Sequence, residues 1–211
     1  MTTILAVCTG NICRSPVLAH LLEDRTDETV TVSSAGIRAR AGDPIAPGMA
    51  NLLQPRGIDS SRFVAQQLTP EMIRSTDIVV TMTRAQRGAV VRAVPESVRR
   101  TFTLLELAHV LSTSRGPRGA TDDAARWAQI PDLVSLERQH HTGRTRELDV
   151  EDPWGRGDKA YRRAFDRIVT ATDTVCGVLG TGRQPWLVRT PAPRIGTPVP
   201  QPRHSSPVGR S

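Results

Sequence analysis

The chain has 211 residues, 38% of them hydrophobic and only 3% aromatic, enough for one domain whose core must be filled by aliphatic side chains. No apolar run approaches the about 18 residues of a transmembrane helix, and no basic segment followed by a long apolar one opens the chain, so membrane insertion is not expected and a cytoplasmic location is. Cys8, Cys13 and Cys176 make no disulfide framework, and the net charge of +7 says little about a folded domain, because residues 181–211 carry five arginines and no acid.

Ile4–Val7 is a short, continuous apolar run that suits a strand covered on both faces. Ser15-Pro16 reads as a helix start, with Ser15 as cap and Pro16 at the first helical position, followed by Val17, Leu18, Leu21 and Leu22 at helical spacing. A second strand is expected near Val30–Ser34, and a helix over Ala46–Arg56 that stops at Gly57. Asp77–Met82 is a third strand, followed by a helix near Arg84–Val94. Arg100–Leu104 is a fourth strand, leading into a helix over Leu105–Leu111.

Residues 112–149 interrupt the alternation, with helices expected near Asp122–Gln129 and Pro131–His140. A last helix runs Asp158–Leu179, its stripe including Ala160, Ala164, Phe165, Ile168, Val175 and Cys176, with Gly180 as its stop. Strand–helix alternation predicts an α/β fold: a four-stranded parallel sheet flanked by helices on both faces, with the binding crevice at the C-terminal ends of the strands. Residues 1–180 form the expected domain, 112–149 an insertion in it, and 181–211 a disordered, basic, proline-rich tail. With Trp186 as its one aromatic, the tail reads as a solvated extension, and nucleic acid is not an expected partner.

The stretch Cys8 to Pro16, CTGNICRSP, sits between the first strand and the first helix. A loop that ends on a helix N-terminus presents unpaired N–H groups and a dipole that favours an anion. Gly10 and Asn11 supply the backbone freedom such a loop needs. The same setting, with Arg14 nearby, favours a thiolate at Cys8, a nucleophile that needs no separate base. Arg14 can grip two phosphoryl oxygens, and Ser15 can donate to the sulfur as it leaves. Thr9, Gly10, Asn11, Ile12, Cys13, Arg14 and Ser15 are therefore candidate phosphate-binding residues. Cys13 is either a packing residue or a neighbour able to pair with Cys8 under oxidant. No metal or cofactor is needed, and His140-His141 is not read as a metal site, since adjacent side chains diverge on a helix.

CTGNICRSP resembles the signature loop of the low-molecular-weight protein tyrosine phosphatases. Ser33-Ser34-Ala35-Gly36 resembles that family's turn after its second strand, Ser75 to Arg87 its third strand and following helix start, and Asp152-Pro153-Trp154-Gly155 its late Asp-Pro-aromatic loop. The chain departs from the family after Pro16 and over Phe63–Leu68, where the family often has arginine. Of two Asp-Pro pairs, the resemblance favours Asp152 over Asp43 as the acid that protonates the leaving group; Asp43 is then a turn former. It implies Trp154 as a wall of the cleft, against the alternative of a cap over the core, and Ser34 as a support of the loop.

The implied activity is hydrolysis of phosphotyrosine in proteins, with a tyrosine kinase as a partner. The alternatives are a protein arginine phosphatase, whose members resemble this chain but carry threonine at the position of Ile12, a thiol-dependent arsenate reductase, and a non-catalytic phosphoprotein-binding module.

Overall fold

The computed structural model describes residues 1–138 and 148–181. His140-His141 and nearly all of the tail, residues 182–211, lie outside the described residues. The strands are β1 (Thr2–Cys8), β2 (Val30–Gly36), β3 (Ile78–Thr81) and β4 (Thr101–Thr103). All three strand pairs are parallel, in the order β2-β1-β3-β4. The helices are α1 (Arg14–Arg25), α2 (Pro47–Leu53), α3 (Pro70–Arg74), α4 (Arg84–Ala93), α5 (Leu104–Thr113), α6 (Asp123–Ala128), α7 (Ile130–Arg138) and α8 (Asp158–Leu179).

The two central strands carry apolar runs, Ile4–Val7 in β1 and Ile78–Val80 in β3, because both faces of the sheet are covered there, whereas the edge strands β2 and β4 keep Thr31, Ser33, Ser34, Thr101 and Thr103. Successive side chains of a strand point to opposite sides. Ile4, Ala6 and Cys8 accordingly join the larger core, with Leu18, Phe102, Leu111, Phe165 and Ile168. Leu5 and Val7 join the smaller one, with Ile73 of α3 and Val90 of α4. Each fully buried aliphatic side chain of this kind contributes roughly 1.5–3 kcal/mol. The loop after β1 leads to α1 on one face, while the loop after β3 leads to α4 on the other. The strand order reverses between β1 and β3, so a crevice opens there at their C-terminal ends. Cys8, the last residue of β1, borders it.

The helix boundaries depart from expectation where local chemistry intervenes. The helix after β2 stops at Leu53 and tightens into a 3₁₀ turn at Gln54–Arg56, because Pro55 has no N–H to continue an α-helix. Gly57 then turns left-handed at φ 73°. Two elements had no periodic signal. The five residues of α3 are capped by Thr69, and a 3₁₀ turn covers Pro95–Arg100. Gly180 closes α8 in a left-handed conformation at φ 67°, as expected. Both helices expected in the 112–149 interruption form, and they are built into the domain. Trp127, Ile130 and Val134 belong to the larger core, and the Thr2 hydroxyl donates to the Ala124 carbonyl at 2.9 Å.

Among the described residues no helix is long and apolar enough to cross a membrane. Nor does any group of three or more His, Cys, Asp or Glu among them gather as a metal site would require.

Candidate active site

The residues from Cys8 to Arg14 wrap around the sulfur. The carbonyl of Cys8 accepts from Ile37 N at 3.0 Å, that of Thr9 from Arg38 N at 2.9 Å, that of Gly10 from Arg40 N at 2.9 Å and that of Ile12 from Ala46 N at 2.7 Å. The carbonyl and N–H of one planar trans peptide point in opposite directions. Turning these carbonyls outward therefore turns the amides of Thr9, Gly10, Asn11 and Cys13 inward. The Asn11 N–H shows the result, donating to Cys8 Sγ at 3.2 Å. Asn11 takes the left-handed conformation at φ 55°, whereas Gly10 stays outside that region. The freedom expected of both residues is used by Asn11.

Ser15 is not the cap of α1. The helix starts at Arg14, with Cys13 in the cap position and no side-chain cap bond. The Ser15 hydroxyl donates to Cys8 Sγ at 2.9 Å instead, and Pro16 falls third in the helix, where its missing N–H still costs nothing. The Asn11 side chain braces this arrangement. Its Nδ2 donates to Ser15 Oγ at 3.0 Å and to Ser34 Oγ at 2.9 Å, and its Oδ1 accepts from Gln66 N at 2.8 Å. Ser34 thus supports the loop from the end of β2.

Arg14 is buried, with 3% exposure. Its Nη1 donates to the Val150 carbonyl at 3.0 Å, and its Nη2 lies 2.5 Å from Asp152 Oδ2. Its Nε is buried and has no partner among the described residues. A buried guanidinium with an unused donor is costly to leave so and fits an anion that completes its shell. Asp152 is half-exposed, and its other oxygen accepts from Trp154 N at 3.2 Å. Trp154 does not cap the core. It is 49% exposed, and the Arg40 guanidinium lies 5.1 Å from its ring centroid. Asp43 sits in a turn, its carboxylate bound to Arg40 Nε at 2.6 Å, as a turn former should.

The other two cysteines differ. Burial, helped by the charges of Cys8 and Asp152, pushes the Cys13 thiol up to about 12 against a hydrogen bond from Tyr161 and the charge of Arg14. Burial in α8 pushes Cys176 up to about 11. Both are held as thiols. His20 is half-buried, its ring edge-on to Phe63 at 6.0 Å.

Residues 3–115 match the family described as low molecular weight phosphotyrosine protein phosphatase. The chain belongs to that family. Its activity class is that of a cysteine-based phosphatase. Over 105 residues, half of this chain and 72% of the relative, it is 39% identical to a probable low molecular weight protein-tyrosine-phosphatase, EpsP, of Ralstonia solanacearum. Over 178 residues, 84% of this chain and 96% of the relative, it is 30% identical to a protein-arginine-phosphatase of Geobacillus stearothermophilus. The structure of the YwlE arginine phosphatase of G. stearothermophilus superposes with a TM-score of 0.63 at 29% identity, covering 85% of this chain and 94% of that one. The AmsI tyrosine phosphatase of Erwinia amylovora shares the fold, with a TM-score of 0.59 at 22% identity, over 83% of this chain and 91% of that one.

Sequence reasoning missed several supports of this phosphatase's site. Gln66 lies in the tract Phe63–Leu68 where the family often has arginine, and its Nε2 donates to the Ser34 carbonyl at 2.8 Å. No local signal marks it, because its role depends on where β2 ends. Gln86 donates to Thr9 Oγ1 at 3.1 Å, and the Thr-x-x-Gln spacing from Thr83 is a capping-box signature legible in the sequence. Gly36 is needed for space. A Cβ there would lie 2.7 Å from the Thr9 carbonyl and 3.0 Å from Ala39. Gly36→Ala should push the Cys8–Ser15 loop outward and cost about 1–3 kcal/mol, the usual range for overpacking, together with weaker phosphate inhibition. A melting curve and a phosphate inhibition constant check both.

Proposed function

We propose that Cys8 attacks the phosphorus of a phosphorylated protein side chain. The sulfur–phosphorus bond forms as the bond to the leaving atom breaks, and Asp152 gives that atom its proton. Water then attacks the cysteinyl-phosphate and passes a proton to Asp152. The sulfur leaves with the electron pair, steadied by the Ser15 hydroxyl. Arg14 and the amides of the loop hold the three equatorial oxygens throughout. The observation that carries this reading is the outward turn of the loop carbonyls, with the Asn11 amide and the Ser15 hydroxyl both aimed at Cys8 Sγ.

Arg14 is paired with Asp152. A bound phosphoryl group competes for the guanidinium and frees the carboxyl for the leaving group. Residues 1–180, with Trp127, Ile130 and Val134 of the 112–149 stretch contributing to the core, make up the catalytic unit. An electron relay of the arsenate reductase type has little support, because Cys176 is buried and held as a thiol.

For the substrate, the likeness to an arginine phosphatase over most of both chains supports phosphoarginine more fully than the phosphotyrosine expected from the sequence. Trp154 fits this reading, since its ring already carries a guanidinium. Phosphotyrosine has one specific observation in its favour. Ile12 supplies no hydroxyl at the position where the arginine phosphatases have threonine, and a tyrosine kinase is then the natural partner. Peptides carrying each phosphorylated residue, assayed side by side, decide the matter. The expected result is a kcat/KM for phosphoarginine at least about tenfold above that for phosphotyrosine, a difference of about 1.4 kcal/mol. The reverse order selects phosphotyrosine.

A further inference from the structure

Gln86 is buried at the start of α4 and touches neither Cys8 nor Asp152, yet its hydrogen bonds lead to both. Its Oε1 accepts from the N–H of Met82 at 3.0 Å and of Thr83 at 3.1 Å, which is all that helix capping requires. Its Nε2 is spent elsewhere, on Thr9 Oγ1. Met82 extends the connection, donating to the Val7 carbonyl at 3.2 Å and accepting from Val150 N at 2.8 Å. The Val150 carbonyl holds Arg14, and Arg14 holds Asp152. One side-chain amide therefore ties the first residue of the phosphate loop to the segment that carries the acid. The Thr9 hydroxyl accepts from Gln86, so its own proton remains to be given to another acceptor.

We propose that Gln86 is a positioning residue for phosphate binding: it fixes the Thr9 arm of the loop and orients the Thr9 hydroxyl to donate to a bound phosphoryl oxygen. This rests on the phosphate site proposed at Cys8 and Arg14.

Gln86→Glu separates this role from capping. Glutamate keeps an oxygen for Met82 and Thr83, so α4 and the melting temperature hold. It has no proton to give Thr9, so the hydroxyl must turn and donate to the carboxylate, and a negative charge now faces the anion. The inhibition constant for inorganic phosphate against an aryl phosphate substrate should rise at least about tenfold, and KM with it, while kcat changes less than about threefold. Thr9→Val, which leaves the cap of α4 intact, should raise the phosphate constant about three- to tenfold in the wild type and add little in the Gln86→Glu background. Wild-type phosphate inhibition in Gln86→Glu overturns the positioning role and leaves the phosphate site standing. If Gln86→Glu melts early, Thr9→Val decides, and an unchanged constant there overturns the role in the same way. A wild-type protein that phosphate does not inhibit overturns both the site and the role.

Discussion

Cys8→Ser should lower hydrolysis of an aryl phosphate by at least about 10⁴-fold, with EDTA present throughout. The size follows from what the loop is built to do. Asn11 N–H and the Ser15 hydroxyl both donate to the sulfur, an arrangement suited to a negatively charged atom. A serine hydroxyl there stays protonated, and the described residues offer no histidine or carboxylate bonded to it as a base. The fold should survive, because the substituted atom is close in size and its donors remain. The wild type quenched during turnover should carry phosphorus on Cys8, seen by mass spectrometry of the peptide containing residues 8–14. Near-normal turnover in the serine variant, or an unphosphorylated Cys8 in the quenched enzyme, refutes the nucleophile assignment.

Asp152→Asn should cost about 10²–10⁴-fold with a poor leaving group and much less with a good one such as a nitrophenolate. Asparagine cannot deliver the proton that a poor leaving group requires. It also weakens the hold on Arg14, so inorganic phosphate should bind no more weakly than in the wild type. The combination is diagnostic. Loss of turnover with phosphate affinity kept marks proton transfer, whereas equal losses for all leaving groups would place Asp152 in binding alone. If Asp43→Asn instead shows the leaving-group dependence, Asp43 is the acid. Its bond to Arg40 within a turn argues against that.

Much of the fold was legible locally. Ile4–Val7 and Ile78–Val80 are unbroken apolar runs because both faces of a parallel sheet are covered, and the stripe over Asp158–Leu179 fits the helical period through the whole of α8. Cys8, Arg14 and the loop between them are contiguous, so their spacing shows in the sequence. Ser15 reads in the sequence as the cap of α1 and as a donor to the sulfur; its hydroxyl bonds Cys8 Sγ, and the cap position falls to Cys13. A hydroxyl next to proline fits capping, and only the folded loop shows that the sulfur lies closer. Trp154 had two readings, cap or wall, and its exposure with Arg40 on its ring excludes the cap. The five-residue α3 is too short for periodicity to reveal.

The amino-acid order alone determined the strand, loop and helix from Ile4 to Leu22 and the spacing of the thiol and guanidinium within them, because these features arise from neighbours in the chain. Tertiary structure decided the partners that come from far away: Asp152 and Val150 on Arg14, Ser34 and Gln66 on Asn11, Gln86 on Thr9. Hydrogen bonds reach about 3 Å, and which distant groups come that near depends on the strand order and on which face each crossover takes.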